Sequence, residues 1–393
     1  MRVDVLVVGG GPAGLTAATE LRRLGATVTV AEREREPGGI PRHTEHIGYG
    51  VRDQRRFTTG PRYAAGLIDR AERAGVDLRT QATVLTLDGT AGVLATLSGP
   101  VEVEAAAVVL ATGVRERPRS ARLVPGDRPA GVLTTGALQQ FAAVRQRVGR
   151  RAVVVGAEHV SFSAILTLHY VGCEVAAMVT PLPRHQTYEP LRLATATRHR
   201  VPIRTGVEVD EIIGRRRVEA VALSDGSRIE CDTVVLTGDW IPDHELARRT
   251  GLEMVAASRA PVVDARFRTS QRGVFAIGNL VHPAETADVC ALDGRAAASA
   301  VKRWLDGDAT WPDPVPISVT PPILWAAPTA RGITLRVGAF VRGRLVLEAD
   351  GRTVWISRSR HLVPNRSITI PRPASAAPLH VALITADAVM SAT

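Results

Sequence analysis

The chain has 393 residues, 45% of them apolar, and carries a formal charge of +10. That length allows two or three domains, and the composition is that of a globular protein rather than a disordered one. The positive charge does not read as nucleic-acid binding: Lys302 is the only lysine, the arginines are scattered among acidic residues, and the few aromatics are not interleaved with them. No apolar run approaches the roughly 18–20 residues that span a bilayer. Met1-Arg2-Val3-Asp4 leads straight into Val5-Leu6-Val7-Val8 without the pattern of a signal peptide. A cytoplasmic protein without membrane contact is therefore expected. Cys173, Cys231 and Cys290 stand far apart and form no Cys-x-x-Cys, so neither a local redox disulfide nor a metal or iron–sulfur ligand set is expected.

In chain order, the first signal is an apolar strand over residues 3–8 followed at once by Gly9-Gly10-Gly11-Pro12-Ala13-Gly14. Gly9, Gly11 and Gly14 fill the G-x-G-x-x-G positions, and Leu15, Ala18, Leu21 and Leu24 give a helical stripe that stops at Gly25. A second strand over residues 27–31 ends in Glu32. This strand–turn–helix–strand–acid order is that of a dinucleotide site. Gly9 permits the tight turn, Gly11 lets the backbone approach a pyrophosphate, and Gly14 lets helix and strand pack closely. The helix start offers N–H groups to the anion, and Glu32 can accept from a ribose.

A second such unit starts at residues 152–156, with a helix from about His159 to Tyr170. Its fingerprint reads Gly156-Ala157-Glu158-His159-Val160-Ser161, with Glu158 in the second glycine position and Ser161 in the third. A carboxylate there would meet a pyrophosphate and fill the space a missing Cβ leaves open. The following strand, residues 175–179, ends in Thr180 with no acid for a ribose, and no arginine stands nearer than Arg184 for a 2′-phosphate. The expectation is a retained fold with NAD(P) binding lost, Glu158 standing at the helix start as a built-in substitute for phosphate. Another adenine nucleotide held in a different manner is the alternative. Arg215-Arg216-Arg217 after Gly214 reads as a hairpin turn. Beyond Trp304 comes a proline-rich connector, and then short strands are expected over residues 333–337, 344–347, 352–356 and 380–384.

Three segments carry a family resemblance. Glu36-Pro37-Gly38-Gly39-Ile40 is similar to the second glycine pair of glutathione-reductase-like flavoproteins. Residues 107–110 running into Ala111-Thr112-Gly113 resemble their "ATG" segment, repeated at Thr237-Gly238. Gly273 to Asn279 resembles their late strand, with Asn279 in place of the aspartate that holds the ribityl chain. The resemblance implies an α/β fold: an FAD-binding Rossmann-like domain over 1–116 and 238–305, a second NAD(P)-type Rossmann-like domain inserted over 117–237 and degenerate, and a small β-rich C-terminal module over 312–393. It also implies FAD as cofactor, held by Gly9, Gly11, Pro12, Ala13, Gly14, Glu32 and Arg33. Gly39, Ile40, Val84, Ala111, Thr112, Gly113, Gly278, Asn279, Glu285 and Thr286 complete that set.

The stretch from Gly38 through Arg42-His43, His46-Ile47-Gly48-Tyr49 and Asp53 to Tyr63 resembles a narrower branch. So does His282-Pro283-Ala284-Glu285-Thr286-Ala287-Asp288. Both look like the FAD subunit of opine oxidases, of hydroxyproline and proline dehydrogenase complexes, and of the related part of sarcosine oxidase and hydrogen cyanide synthase. This implies an oxidoreductase passing electrons through its flavin, with a glycine-oxidase-like dehydrogenase subunit, an iron–sulfur subunit or both as partners, and an amine or amino-acid substrate in the complex. His43, His46, Tyr49, Asp53 and Thr286 are the polar candidates beside the flavin, with no catalytic acid or base assigned. Thr286 is expected to begin a helix whose positive end faces the flavin N1–C2=O edge. Two other functions stay open: a self-sufficient NAD(P)H-dependent flavin oxidoreductase, and a nucleotide-binding scaffold with no redox step. The tail is expected to serve as a docking surface, with a lid or a purely structural cap as the alternatives, and its removal is expected to leave the flavin bound.

Overall fold

The computed structural model describes residues 1–373 and 377–385. The apolar strand Arg2–Val8 forms the middle of a mostly parallel sheet, with Val28–Ala31 and Asp77–Arg79 on one side and the long strand Gly99–Leu110 on the other. The last four residues of these central strands are buried on both faces, which is why they read as continuous runs rather than alternating ones. Gly99–Leu110 serves two purposes. Its outer half pairs antiparallel with Ala91–Thr96, while its inner half runs parallel to Arg2–Val8 and to Val274–Ala276. Val5 and Val7 pack on one face against the helices Pro12–Arg23 and Ala287–Leu305, and Leu6 and Val8 pack on the other. The two helices approach closely because Gly294 lies against Ala13, where a Cβ would stand 2.2 Å from the Ala13 carbonyl oxygen.

A second parallel sheet has the order Val132–Thr134, Thr233–Leu236, Arg151–Val155, Glu174–Thr180, Ile203–Thr205. The helices Thr135–Ala143 and His159–Tyr170 cover one face. The antiparallel strands Val209–Ile213, Ala220–Leu223 and Arg228–Glu230 cover the other. Arg215, Arg216 and Arg217 lie in the connection between the first two of these, so the basic run is a turn. Only two short strands, Val114–Glu116 and Trp240–Pro242, carry the chain out to this second lobe and back, paired antiparallel.

The C-terminal part is a pair of small sheets. Ile323–Thr329, Gly332–Val337 and Ile368–Ile370 form one, and Val341–Ala349 with Leu379–Thr385, Arg352–Ile356 and Arg360–Leu362 forms the other. Their facing side chains make a core of their own. Trp325 and Ala327, however, belong to the core beneath the first sheet, with Leu6, Val108 and Leu110. The module is thus fused to the first lobe through buried apolar surface. No helix among the described residues is long and apolar enough to cross a membrane.

Candidate functional site

A cleft of about 1480 Å³ runs from the first glycine loop, past the N-terminus of helix Ala287–Leu305, to the N-terminus of helix His159–Tyr170. At its first end the loop geometry explains the glycines. Gly9 has φ 106°, and a Cβ there would lie 2.5 Å from the Ala111 carbonyl oxygen. At Gly14 a Cβ would lie 2.0 Å from the Gly9 carbonyl oxygen, so helix and strand could not pack. Gly11 has nothing within 4 Å of its missing Cβ and faces the open cleft. Helix Pro12–Arg23 starts there with no side-chain cap and no acid in its first turn, leaving its positive end free for an anion.

Glu32 is buried at the end of its strand. It accepts from the Gly10 N–H at 2.8 Å and from the Glu34 N–H at 2.8 Å, and still lines the cleft. Gly39, with φ 63°, folds over Gly11, its absent Cβ 3.0 Å from the Gly11 Cα. Arg33 pairs with Asp243 at 2.9 Å, and the Thr112 hydroxyl donates to the Asp243 carbonyl at 2.7 Å. Pro12, Ala13, Ile40, Val84, Ala111 and Gly113 also line the cleft, whereas Gly14 and Gly278 pack behind it. Gly278, at φ 65°, leaves room for Ala13, whose Cβ would be 2.8 Å from a Cβ at 278. Asn279 is committed locally: its amide donates to the Glu285 carbonyl at 3.0 Å and accepts from the Glu285 N–H at 2.8 Å. The residues fit a dinucleotide pyrophosphate at Gly11. Gly11→Val, entering only open space, is expected to leave the fold intact and abolish cofactor retention. Unchanged circular dichroism with no flavin absorbance checks this, and full stoichiometric flavin would contradict it.

The polar candidates near the middle of the cleft are mostly tied to the chain. His46 reaches across the lobes, its Nε2 2.6 Å from Ser163 Oγ and its Nδ1 2.9 Å from the Ile47 carbonyl oxygen. That carbonyl can only accept, so Nδ1 carries the proton and the Ser163 hydroxyl donates to Nε2. Burial holds this imidazole below its ordinary range. The Tyr49 ring lies between those of His46 and Tyr63, 5.9 Å from each, and burial raises its phenol. His43 has one nitrogen 3.0 Å from Arg42 and the other buried without a partner. Thr286 is the N-cap residue of Ala287–Leu305; its hydroxyl donates to Asp288 and accepts from Arg52 at 2.9 Å. The Arg52 N–H also donates to Asp288 at 2.9 Å.

At the far end, Gly156 has φ 123° and a Cβ there would strike Thr237 Oγ1 at 2.2 Å. Ser161 is fully buried, accepting from the Glu158 N–H at 3.1 Å and bonded to Thr237 at 2.6 Å. The Glu158 side chain lies over Gly238, so close that a Cβ at 238 would be 1.8 Å from its Oε1. It fills the turn where a pyrophosphate would approach. The carboxyl opens onto the cleft but is enclosed by its walls, which pushes it up to about 7 against the pull of Arg336 and Arg122. The Thr180 hydroxyl is turned inward, accepting from the Leu182 N–H at 3.3 Å.

Sequence reasoning did not foresee the third wall, which the C-terminal module supplies. Arg336 is 5% exposed and forms an ion pair with buried Glu285 at 2.6 Å, and it donates to the Ala284 carbonyl at 3.0 Å. Ser367 and Thr334 donate to the same carboxylate at 2.6 and 3.2 Å. Behind them His282 and Asp293 form a fully buried pair, and Asp293 also accepts from the Ala330 N–H at 2.7 Å. Burial pulls the His282 imidazole down, but Asp293, with Glu285 and a backbone hydrogen bond adding to it, more than offsets this and raises it. Arg366 clasps the second lobe, donating to the Gln186 and Thr187 carbonyls at 2.8 Å each and lying 4.2 Å from the Tyr188 ring centroid. One signal was available: Arg336 is the only charge in the otherwise uncharged strand Gly332–Val337.

Comparison with known proteins adds three findings. A family model described as pyridine nucleotide-disulphide oxidoreductase matches residues 3–294. An opine oxidase subunit of Rhizobium meliloti is 27% identical over 93% of this chain and 72% of its own length. The corresponding opine oxidase subunit of Agrobacterium tumefaciens (strain Ach5) is 31% identical over 76% of this chain and 65% of its own length. The chain therefore spans only about two thirds to three quarters of these relatives. Among solved structures, thioredoxin reductase of T. acidophilum is similar with a TM-score of 0.65 and 20% identity, covering 77% of this chain and 98% of that one. That likeness concerns the fold.

Proposed function

The chain belongs to the pyridine nucleotide-disulphide oxidoreductase family, and on that premise we propose that it is an FAD-dependent oxidoreductase working as the electron-handling subunit of an amine or amino-acid dehydrogenase complex. The observation that carries this reading is the contrast between its two nucleotide crevices. The first is open at Gly11 and at an uncapped helix end, while the second is filled by Glu158. FAD would be held by the glycine loop, Glu32 and the loops around Gly39, Thr112 and Asn279, and would supply the two-electron chemistry. On this reading residues 1–116 and 238–305 form the FAD domain, 117–237 the degenerate second domain and 312–393 the module that walls the cleft.

The cysteines offer no internal relay. Cys173, Cys231 and Cys290 are all free and buried, and burial raises the thiols of the first two to about 12 and about 11. Among the described residues no group of ligands could hold a metal ion. Electrons then reach and leave the flavin through another polypeptide or a diffusible acceptor. The similarity to two proteins named as subunits of opine oxidase supports a dehydrogenase or iron–sulfur partner. The expected result is a yellow protein that releases FAD on acid treatment, co-purifies with a dehydrogenase subunit encoded nearby, and is reduced by an amino acid or opine only in that complex. Turnover of amines by the isolated chain at ordinary rates of about 1–1000 per second would overturn the partnership.

A further inference from the structure

We infer that the hairpin spanning residues 47–59 is the docking surface for the redox partner, a protein that meets it with acidic side chains around an apolar centre. Exposed apolar and basic residues gather on this one short piece of chain. Ile47 is 70% exposed, Phe57 75% and Val51 38%, and no other described aromatic residue is as exposed as Phe57. Residues 46–62 hold four arginines, Arg52, Arg55, Arg56 and Arg62, against the single acid Asp53. Arg55, Arg56 and Arg62 are exposed, and among the described residues their side chains make no ion pair or hydrogen bond.

The backbone holds these residues together. The strands Ile47–Tyr49 and Thr58–Thr59 pair antiparallel, Ile47 opposite Thr59 and Tyr49 opposite Thr58. The loop between them closes on the Gly50 carbonyl, which accepts from the Gln54 and Arg56 N–H groups at 3.1 and 3.2 Å. Val51, Arg55 and Arg56 lie in that loop, Phe57 follows its closure, and Arg62 stands in the first turn of helix Gly60–Arg73. The inner side is fastened to the first lobe. The Arg52 N–H donates to Asp288 at 2.9 Å, and the Tyr63 hydroxyl donates to Asp53 at 2.7 Å. Asp53 is thereby turned toward a buried phenol and leaves the outer arginines without a counter-charge. A surface fixed before its partner arrives loses little freedom on binding.

Charge selects the occupant. An aromatic and aliphatic centre ringed by arginines has the composition of a protein interface. A twofold contact between copies of this chain would set the arginines against themselves, on a protein already carrying +10. An acidic surface meets them favourably and is steered toward them. The position suits an electron partner as well. Ile47, Gly48, Tyr49 and Arg52 also line the cleft, so a protein seated on the hairpin stands at the rim of the proposed flavin site. The inference rests on the proposed function in taking another polypeptide as the electron partner.

The test is calorimetric titration of the full-length, FAD-loaded chain with the dehydrogenase subunit that co-purifies with it, at low and high salt. Phe57→Ser and the double variant Arg55→Glu, Arg56→Glu should each weaken association about tenfold or more. Salt should weaken the wild-type pair more than the double variant. Flavin content and melting temperature should stay at wild-type values, and a fall in either would show a structural role and overturn the surface. Undiminished association of either variant would also overturn it, while leaving the partnership intact. A wild-type chain that brings no subunit with it would break the proposed function, and the surface with it. Two further results would reassign the patch and so overturn the inference. One is sedimentation with vesicles of phosphatidylserine and phosphatidylcholine that the double variant loses. The other is a wild-type homodimer that Phe57→Ser dissociates.

Discussion

Removal of residues 312–393 is expected to cost the protein its flavin and its folded state, not merely a docking surface. Three buried groups of the first lobe lose their partners together. Glu285 loses Arg336, Ser367 and Thr334, Asp293 loses the Ala330 N–H, and the sheet face around Leu6 and Val108 loses Trp325 and Ala327. Stripping one partner from a buried ion pair costs about 3–5 kcal/mol, because an uncompensated charge stays behind. Asp293 keeps His282 but loses a buried hydrogen bond, about 1–3 kcal/mol more, and the two losses together reach the lower part of an ordinary stability of about 5–15 kcal/mol. Glu285 also braces Asn279, so the damage reaches the cofactor loop directly. Soluble yield, melting temperature and the ratio of flavin to protein absorbance measure the outcome. A soluble truncated chain with full flavin would show that the module is separable after all.

NADH and NADPH are expected to leave the flavin oxidised, or to reduce it far more slowly than a reductase of this fold requires. Two like charges about 4 Å apart repel by about 4 kcal/mol at a surface-like dielectric, which corresponds to roughly a thousandfold loss of affinity. Protonation of Glu158 near its raised value removes the charge but not the side chain, which still covers Gly238. The ribose finds no acid either, since the strand Glu174–Thr180 ends in a hydroxyl turned toward Leu182. Ser161 adds a second obstacle, because it is fully buried and bonded to Thr237 and so cannot swing aside cheaply.

Local pattern carried much of this fold into the sequence. The helix expected after the glycine loop is Pro12–Arg23, the second is His159–Tyr170 as read, and the four expected tail strands lie within observed ones. These elements announce themselves by period and by glycine, and neither signal depends on distant partners. The strand Ile323–Thr329 was hidden because Pro321, Pro322 and Pro328 speak against a strand. It is tolerated at the edge of its sheet, where Pro328 withholds no needed hydrogen bond. The cleft's third wall was hidden for another reason. Arg336 meets Glu285, Arg366 meets Gln186, and His46 meets Ser163 across 51, 180 and 117 residues of chain. No spacing rule links residues so far apart. Asn279 shows the same limit in one side chain: its type suits a ribityl hydroxyl, but its hydrogen bonds go to Glu285.

The central claim is that one crevice serves the flavin while the other rejects the pyridine nucleotide, and anaerobic titration of the purified yellow protein tests it most directly. Visible absorbance of the bound flavin is followed as NADH, then NADPH, is added in stoichiometric steps, with dithionite at the end to show that the flavin is reducible. The expected result is an unchanged oxidised spectrum through both nucleotides and full bleaching by dithionite. Rapid bleaching by either nucleotide at micromolar concentration would contradict it.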